Sequence, residues 1–102
     1  MDINHILYEL QIFISKEMGI PLSEISVDKH FSELQLDSMS HLEILLYADD
    51  TFGSHVLDYL EEGLLGDKRP NSLRELVLLI PDCMIPVSEF AAKKKSNSLN
   101  SN

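Results

Sequence analysis

Cysteine, tryptophan and cationic side chains are all scarce in this chain. Its 102 residues include one cysteine, Cys83, so no internal disulfide can form. A lone cysteine fits a reducing compartment, and a cytoplasmic setting is expected. Lys and Arg number 8 against 17 Asp and Glu, giving a formal net charge of −9. Nucleic acid is a poor partner for such a surface, because phosphate binding needs a cationic face. A basic patch on another protein is the natural complement. No apolar run approaches the length of a membrane span. The first residues open a helical pattern without a basic segment or a small-residue cleavage site, so no signal peptide is expected. His5, His30, His41 and His55 lack metal-ligand spacing, and one cysteine cannot complete a zinc site, so no metal is expected. Nothing near Cys83 in sequence would activate its thiol.

The four glycines and four prolines act as punctuation. Before Gly19 and Pro21, the residues Ile3, Ile6, Leu7, Leu10, Phe13, Ile14 and Met18 recur at three- and four-residue steps. This is the stripe of a core-facing helix over 3–18, with Asp2 placed to cap it. Residues 19–37 form a long loop, with Leu22, Ile25, Val27, Phe31 and Leu34 as inward pins and a helical turn at 23–25. A second helix is expected from Ser38 to Phe52, stopped by Gly53. Val56, Leu57, Leu60 and Leu64 predict one short helix, broken by Gly63 and Gly66, and residues 67–70 read as a turn. Ser72-Leu73-Arg74-Glu75 is a capping box for a last helix carrying Leu73, Leu76, Val77 and Ile80, with Pro81 as its stop. The length fits one domain, expected over 1–80. Residues 81–102 hold two prolines, three successive lysines and a polar end, and are expected to be a disordered tail. The expected fold class is all-α: a small up-down four-helix bundle of three main helices and one short one, with a long first loop.

The segment around which these elements are arranged is Leu34-Gln35-Leu36-Asp37-Ser38-Met39. It ends the loop and opens the second helix. Asp37 is a favoured N-cap residue, which leaves Ser38 at a helix N-terminus with its hydroxyl toward water. That end carries unpaired N–H groups and partial positive charge, and it tolerates a phosphoester. Serine at a helix start is also commonly no more than a cap.

Leu34, Asp37, Ser38 and Met39, with Glu43-Ile44, Ala48-Asp49-Asp50 and Phe52 downstream, resemble the acyl and peptidyl carrier proteins. The likeness covers roughly residues 2–80. It implies that Ser38 bears a covalent 4′-phosphopantetheine taken from coenzyme A, whose thiol carries acyl or aminoacyl cargo. It implies that Asp37 helps a phosphopantetheinyl transferase hold its metal. It also implies that the second helix docks on loading ligases and downstream synthases through Met39, Leu42, Glu43, Leu46, Asp49 and Asp50, with Leu46 alternatively lining a cargo cavity. Such a carrier is not itself catalytic and is expected to be a monomer. Gln35 departs from the family pattern, which has glycine there; a positive φ at this position would be strained for Gln.

Between Lys29 and Lys68 lie Glu33, Asp37, Glu43, Asp49, Asp50, Asp58, Glu61, Glu62 and Asp67, with no Lys or Arg. A run of one sign is often only a solvated face. Solvated helices usually mix signs to gain side-chain pairs, so the one-sidedness favours docking. An alternative reading is an unmodified acidic helical adaptor that binds a basic protein, with Ser38 as a plain cap. A hydrolase built on Ser38, His41 and Asp37 is not expected, because no oxyanion hole or nucleophile elbow is visible. His41 is expected to be an exposed neighbour of Ser38.

Overall fold

A computed structural model describes residues 2–90. Among them it contains helices and turns and no strand. Helix α1 (Ile3–Met18) starts where Asp2 accepts a hydrogen bond from the Asn4 amide at 3.0 Å, and ends at Gly19 in the left-handed region, φ 69°. Its buried residues are Ile6, Leu7, Leu10 and Ile14, one face at helical spacing. Burying each such side chain contributes on the order of 1.5–3 kcal/mol. Ile3, expected on that face, is instead exposed at the first position of the helix.

The loop after α1 is pinned. Ile25, Phe31 and Leu34 are buried and Val27 is half-buried, while Leu22, expected as a pin, is exposed on the short 3-10 turn Leu22–Glu24. Three bonds tie the loop down. The Gln11 amide donates to the Ile25 carbonyl at 2.7 Å, the Phe31 N–H to the Asn71 carbonyl at 2.8 Å, and the Arg74 N–H to the Val27 carbonyl at 3.0 Å. The Arg74 guanidinium also clasps the Asp28 carboxylate. A second 3-10 turn, Phe31–Leu34, leads toward helix α2 (Ser38–Phe52), which Gly53 ends at φ 74°.

Helix α3 (Val56–Glu61) is shorter than the apolar pattern implies; Leu64 is exposed and Leu65 is buried in its place. Helix α4 (Leu73–Leu79) opens on the capping box, with the Ser72 hydroxyl accepting from the Glu75 amide at 3.2 Å. Leu73, Leu76, Val77 and Ile80 are fully buried. Helices α1 to α4 pack around one core fed by α1, the loop pins, α2, α3 and α4.

The boundary expected at residue 80 is corrected. The chain runs on through a 3-10 turn, Ile80–Cys83, in which Pro81 occupies an early position that needs no N–H donor. Cys83 is fully buried, and its carbonyl accepts from the His55 N–H at 2.7 Å. The Tyr59 hydroxyl donates to the Ile85 carbonyl at 2.7 Å, and Phe90 lies against the Tyr59 ring with centroids 5.5 Å apart. Residues 81–90 therefore belong to the folded domain; the rest of the expected tail, 91–102, lies outside the described residues. Ending the chain at residue 80 would strip partners from Tyr59 and His55. Its urea-unfolding free energy is expected to fall by at least about 1–3 kcal/mol; an unchanged midpoint would restore the boundary at 80.

Candidate functional site

The start of α2 is built by a backbone reversal. Gln35 has φ 61° and ψ 31°, and it is the one non-glycine residue of positive φ among those described. Its N–H reaches the Ser32 carbonyl at 3.2 Å, and the Leu36 N–H reaches the Phe31 carbonyl at 3.3 Å. The 3-10 turn is thus closed and the chain is turned into α2. The left-handed conformation costs a side-chain-bearing residue about 1–2 kcal/mol, and the buried Leu34 and Phe31 on the preceding turn hold it in place.

Asp37 follows in extended conformation as the N-cap, its carboxylate accepting from the Ser40 amide at 2.8 Å. That amide bond holds the Asp37 carboxyl below its ordinary value. Because Asp37 provides the cap, Ser38 does not, and Ser38 is exposed as the first residue of α2. One turn on, His41 is half-buried rather than exposed, a correction to the reading above. Its ring lies against Phe31, with centroids 4.5 Å apart, and its Nε2 is buried without a protein hydrogen-bond partner. Burial, and secondarily the charge of His30, lowers its pKa from the ordinary 6.5. Ser38, His41 and Asp37 do not form a catalytic relay: Asp37 is bound to the Ser40 amide and His41 is packed on Phe31.

Past Ser38, α2 presents two apolar faces. Ile44, Leu45 and Ala48 are buried in the core. On the other side Met39, Leu42 and Leu46 are 62%, 41% and 51% exposed. Glu43 and Asp50 are exposed as well. At 3.6 residues per turn, these five outward residues fall within about 100° of helix circumference. Leu46 is on this stripe and lines neither the cavity beside the first turn of α2 nor the groove under the first loop.

Asp49, named in the expected docking set, is half-buried and holds the start of α3. Its Oδ1 accepts from the Ser54 hydroxyl at 2.6 Å and the Val56 amide at 2.9 Å, and its Oδ2 accepts from the Leu57 amide at 3.0 Å. Both oxygens are committed to the N-terminus of α3, which His55 does not cap with its side chain. The arrangement joins residues eight apart across a turn, and no local motif in the sequence announced it.

Beside Ser38 opens a cavity of about 270 Å³. Ser38, His41, Leu42 and Leu45 line it from α2, Leu60 from α3, and Arg69 from the segment leading to α4. The first four share one helix, but nothing in sequence brought Leu60 or Arg69 to them. A larger polar groove, about 990 Å³, lies under the first loop and is rimmed by Glu17, Glu24, Glu33 and Glu43; Ser38 is not part of it. Cys83 is remote in character: burial, then Asp82 and Asp49, push its thiol up to about 11, so it is not a thiolate nucleophile near neutral pH.

Residues 9–56 match the family model described as phosphopantetheine attachment site. This segment is similar to the phosphopantetheine-bearing domains of carrier proteins. It spans most of α1, the first loop, all of α2 and the start of α3, and so contains Asp37, Ser38 and the outward stripe. Domains of this family carry a covalently attached 4′-phosphopantetheine. Comparison with curated proteins and with solved structures finds no match. No described helix is long and apolar enough to cross a membrane.

Two outcomes follow from this geometry. Replacing Asp49→Ala is expected to cost about 1–3 kcal/mol in urea unfolding, since it strips three donors of their acceptor, whereas Glu43→Gln and Asp50→Asn should stay within about 0.5 kcal/mol. The second concerns His41, whose folded-state pKa is lowered. The unfolded chain therefore takes up the proton first as pH falls, and the stability tied to neutral His41 is complete above 6.5 and lost progressively below it. The melting temperature should drop between pH 7 and 5, and His41→Gln should flatten that drop; an identical slope in the variant would refute the assignment.

Proposed function

We propose that Ser38 is the attachment point of the phosphopantetheine arm and that the protein is an acyl carrier. The observation that carries this reading is the exposed Ser38 at the head of α2, inside the matched segment, with capping assigned to Asp37 instead. The residues fit the group. A phosphodiester on Ser38 would stand at a helix N-terminus, where amide dipoles favour negative charge. In the modification the Ser38 oxygen bonds to the phosphorus bearing the pantetheine half of coenzyme A. The pyrophosphate link breaks, 3′,5′-adenosine diphosphate leaves, and the hydroxyl proton passes to a base of the transferase. Once attached, the arm supplies a terminal thiol that holds acyl or aminoacyl groups as thioesters. This chain's part is to present the hydroxyl, hold the first turn of α2 firm and offer a docking face; it performs no catalysis.

Docking is assigned to Met39, Leu42, Glu43, Leu46 and Asp50. Exposed apolar side chains interleaved with carboxylates suit a partner surface with a hydrophobic pocket rimmed by Lys or Arg. The partners would be a phosphopantetheinyl transferase, a loading ligase and the enzymes that consume the cargo, in the cytoplasm. Asp37, although committed to the Ser40 amide, keeps an exposed carboxylate beside Ser38 and is the residue best placed to help the transferase hold its metal.

The same stripe would serve an unmodified adaptor, and the two readings separate in one experiment. Incubated with a broad-specificity phosphopantetheinyl transferase and coenzyme A, the wild-type chain should gain the mass of one phosphopantetheine and Ser38→Ala none. A wild-type chain that stays unmodified, while a basic partner is captured equally well by Ser38→Ala, would establish the adaptor. With Glu43→Gln and Asp50→Asn together, transferase KM should rise roughly two- to tenfold with kcat little changed, as for charges at the edge of an interface.

A further inference from the structure

We propose that Arg69 is the counter-ion of the phosphodiester on Ser38, and that the cavity they share receives the root of the arm. This rests on the attachment at Ser38 proposed above.

Cations are few here. Residues 2–90 contain Lys16, Lys29, Lys68, Arg69 and Arg74, set against all seventeen carboxylates of the chain. Arg74 is taken by Asp28. Arg69 takes part in none of the ion pairs found among the described residues, although Asp67 is two residues away. Yet it lines the same cavity as Ser38 and is the one Lys or Arg to do so. A phosphodiester adds a full negative charge to an already acidic surface. Of the side chains around that cavity, the guanidinium alone offers a permanent positive charge, in a planar fork that matches two phosphate oxygens. Leu42, Leu45, Leu60 and Pro70 make most of the rest of the wall apolar, with His41 and Asn71 as its other polar members, which reduces screening between the two charges.

A second observation points the same way. His41 also lines the cavity, and its Nε2 is buried without a protein partner. Buried polar atoms are normally hydrogen-bonded, and no protein partner for this one is found among the described residues. Just past its phosphate and first carbons the arm carries a hydroxyl able to bond an imidazole nitrogen. The size agrees with a root and not a whole arm. At roughly 30 Å³ for a water-sized group, the cavity of about 270 Å³ holds roughly nine such groups. The phosphate and first carbons fill it, and the thiol end stays outside for partner enzymes.

The test uses apo and phosphopantetheinylated forms of the wild type, Arg69→Gln and Arg69→Lys, read by the phosphorus-31 resonance and by the melting temperature. Arg69→Gln should leave the apo melting temperature unchanged. It should move the phosphorus resonance and shrink the difference in melting temperature between modified and apo forms by about 1–5 °C, the scale of one exposed charge pair in a domain this size. Arg69→Lys should keep part of the effect, and high salt should move the wild-type resonance toward that of Arg69→Gln. A resonance and a temperature difference both indifferent to Arg69 would overturn the assignment, as would an equal loss in the apo form, which would make Arg69 merely structural. A response to Arg69 that appears only with a carboxylate-tipped acyl group on the thiol would also overturn it, by moving the anion from the phosphodiester to the cargo. If the wild type never gains mass, the attachment at Ser38 and the role of Arg69 fall together; if it gains mass but its spectrum ignores Arg69, only the latter falls.

Discussion

Phe31 is the point on which the site depends. Its ring is buried and lies against His41 of α2. Its N–H bonds the Asn71 carbonyl, which fixes the segment leading into α4. Its carbonyl accepts from Leu36, which closes the turn that aims the chain into α2. One residue in the long loop thus sets the start of α2 against the stretch that brings Arg69 to the cavity. Loops this long are costly to order unless pinned. Here the pins are also what positions Ser38: remove the Phe31 contacts and the helix start, the cavity wall and the loop lose their common reference.

Gln35 shows how close this turn is to its steric limit. The reversal requires a left-handed residue, and glycine would meet the demand without a Cβ penalty. The chain places Gln there and holds it with the bonds of its own amide and of Leu36. The departure noticed in the sequence therefore falls on a left-handed residue, at a local cost that glycine would not incur.

The sequence was legible where the information is local. Asp2, Asp37 and Ser72 as caps, Gly19 and Gly53 as stops, the buried stripe of α1 and the limits of α2 all follow from rules that act within four residues, and each is seen in the structure. What sequence reading missed is long-range. Asp49 read only as a docking carboxylate because its three donors lie beyond the end of its own helix. The domain appeared to end at Pro81 because proline stops α-helices, but a 3-10 turn accommodates it, and the burial of Cys83 and the acceptor for Tyr59 arise only in three dimensions. His41 read as exposed because the position of Phe31 above it is a property of the folded loop.

These long-range bonds explain how α2 can leave three large apolar side chains in water. Exposed Met39, Leu42 and Leu46 contribute little to folding, and a helix of this length is marginal in isolation. It is held from both ends by aspartates with opposite tasks. Asp37 caps its own helix, while Asp49 reaches forward and fastens the next one. Between them Ile44, Leu45 and Ala48 anchor the inner face to the core. The outer stripe is thereby released from structural duty. Its residues can be shaped by the surfaces they meet, and a change there alters recognition while the helix start, and the hydroxyl at its head, stay where they are.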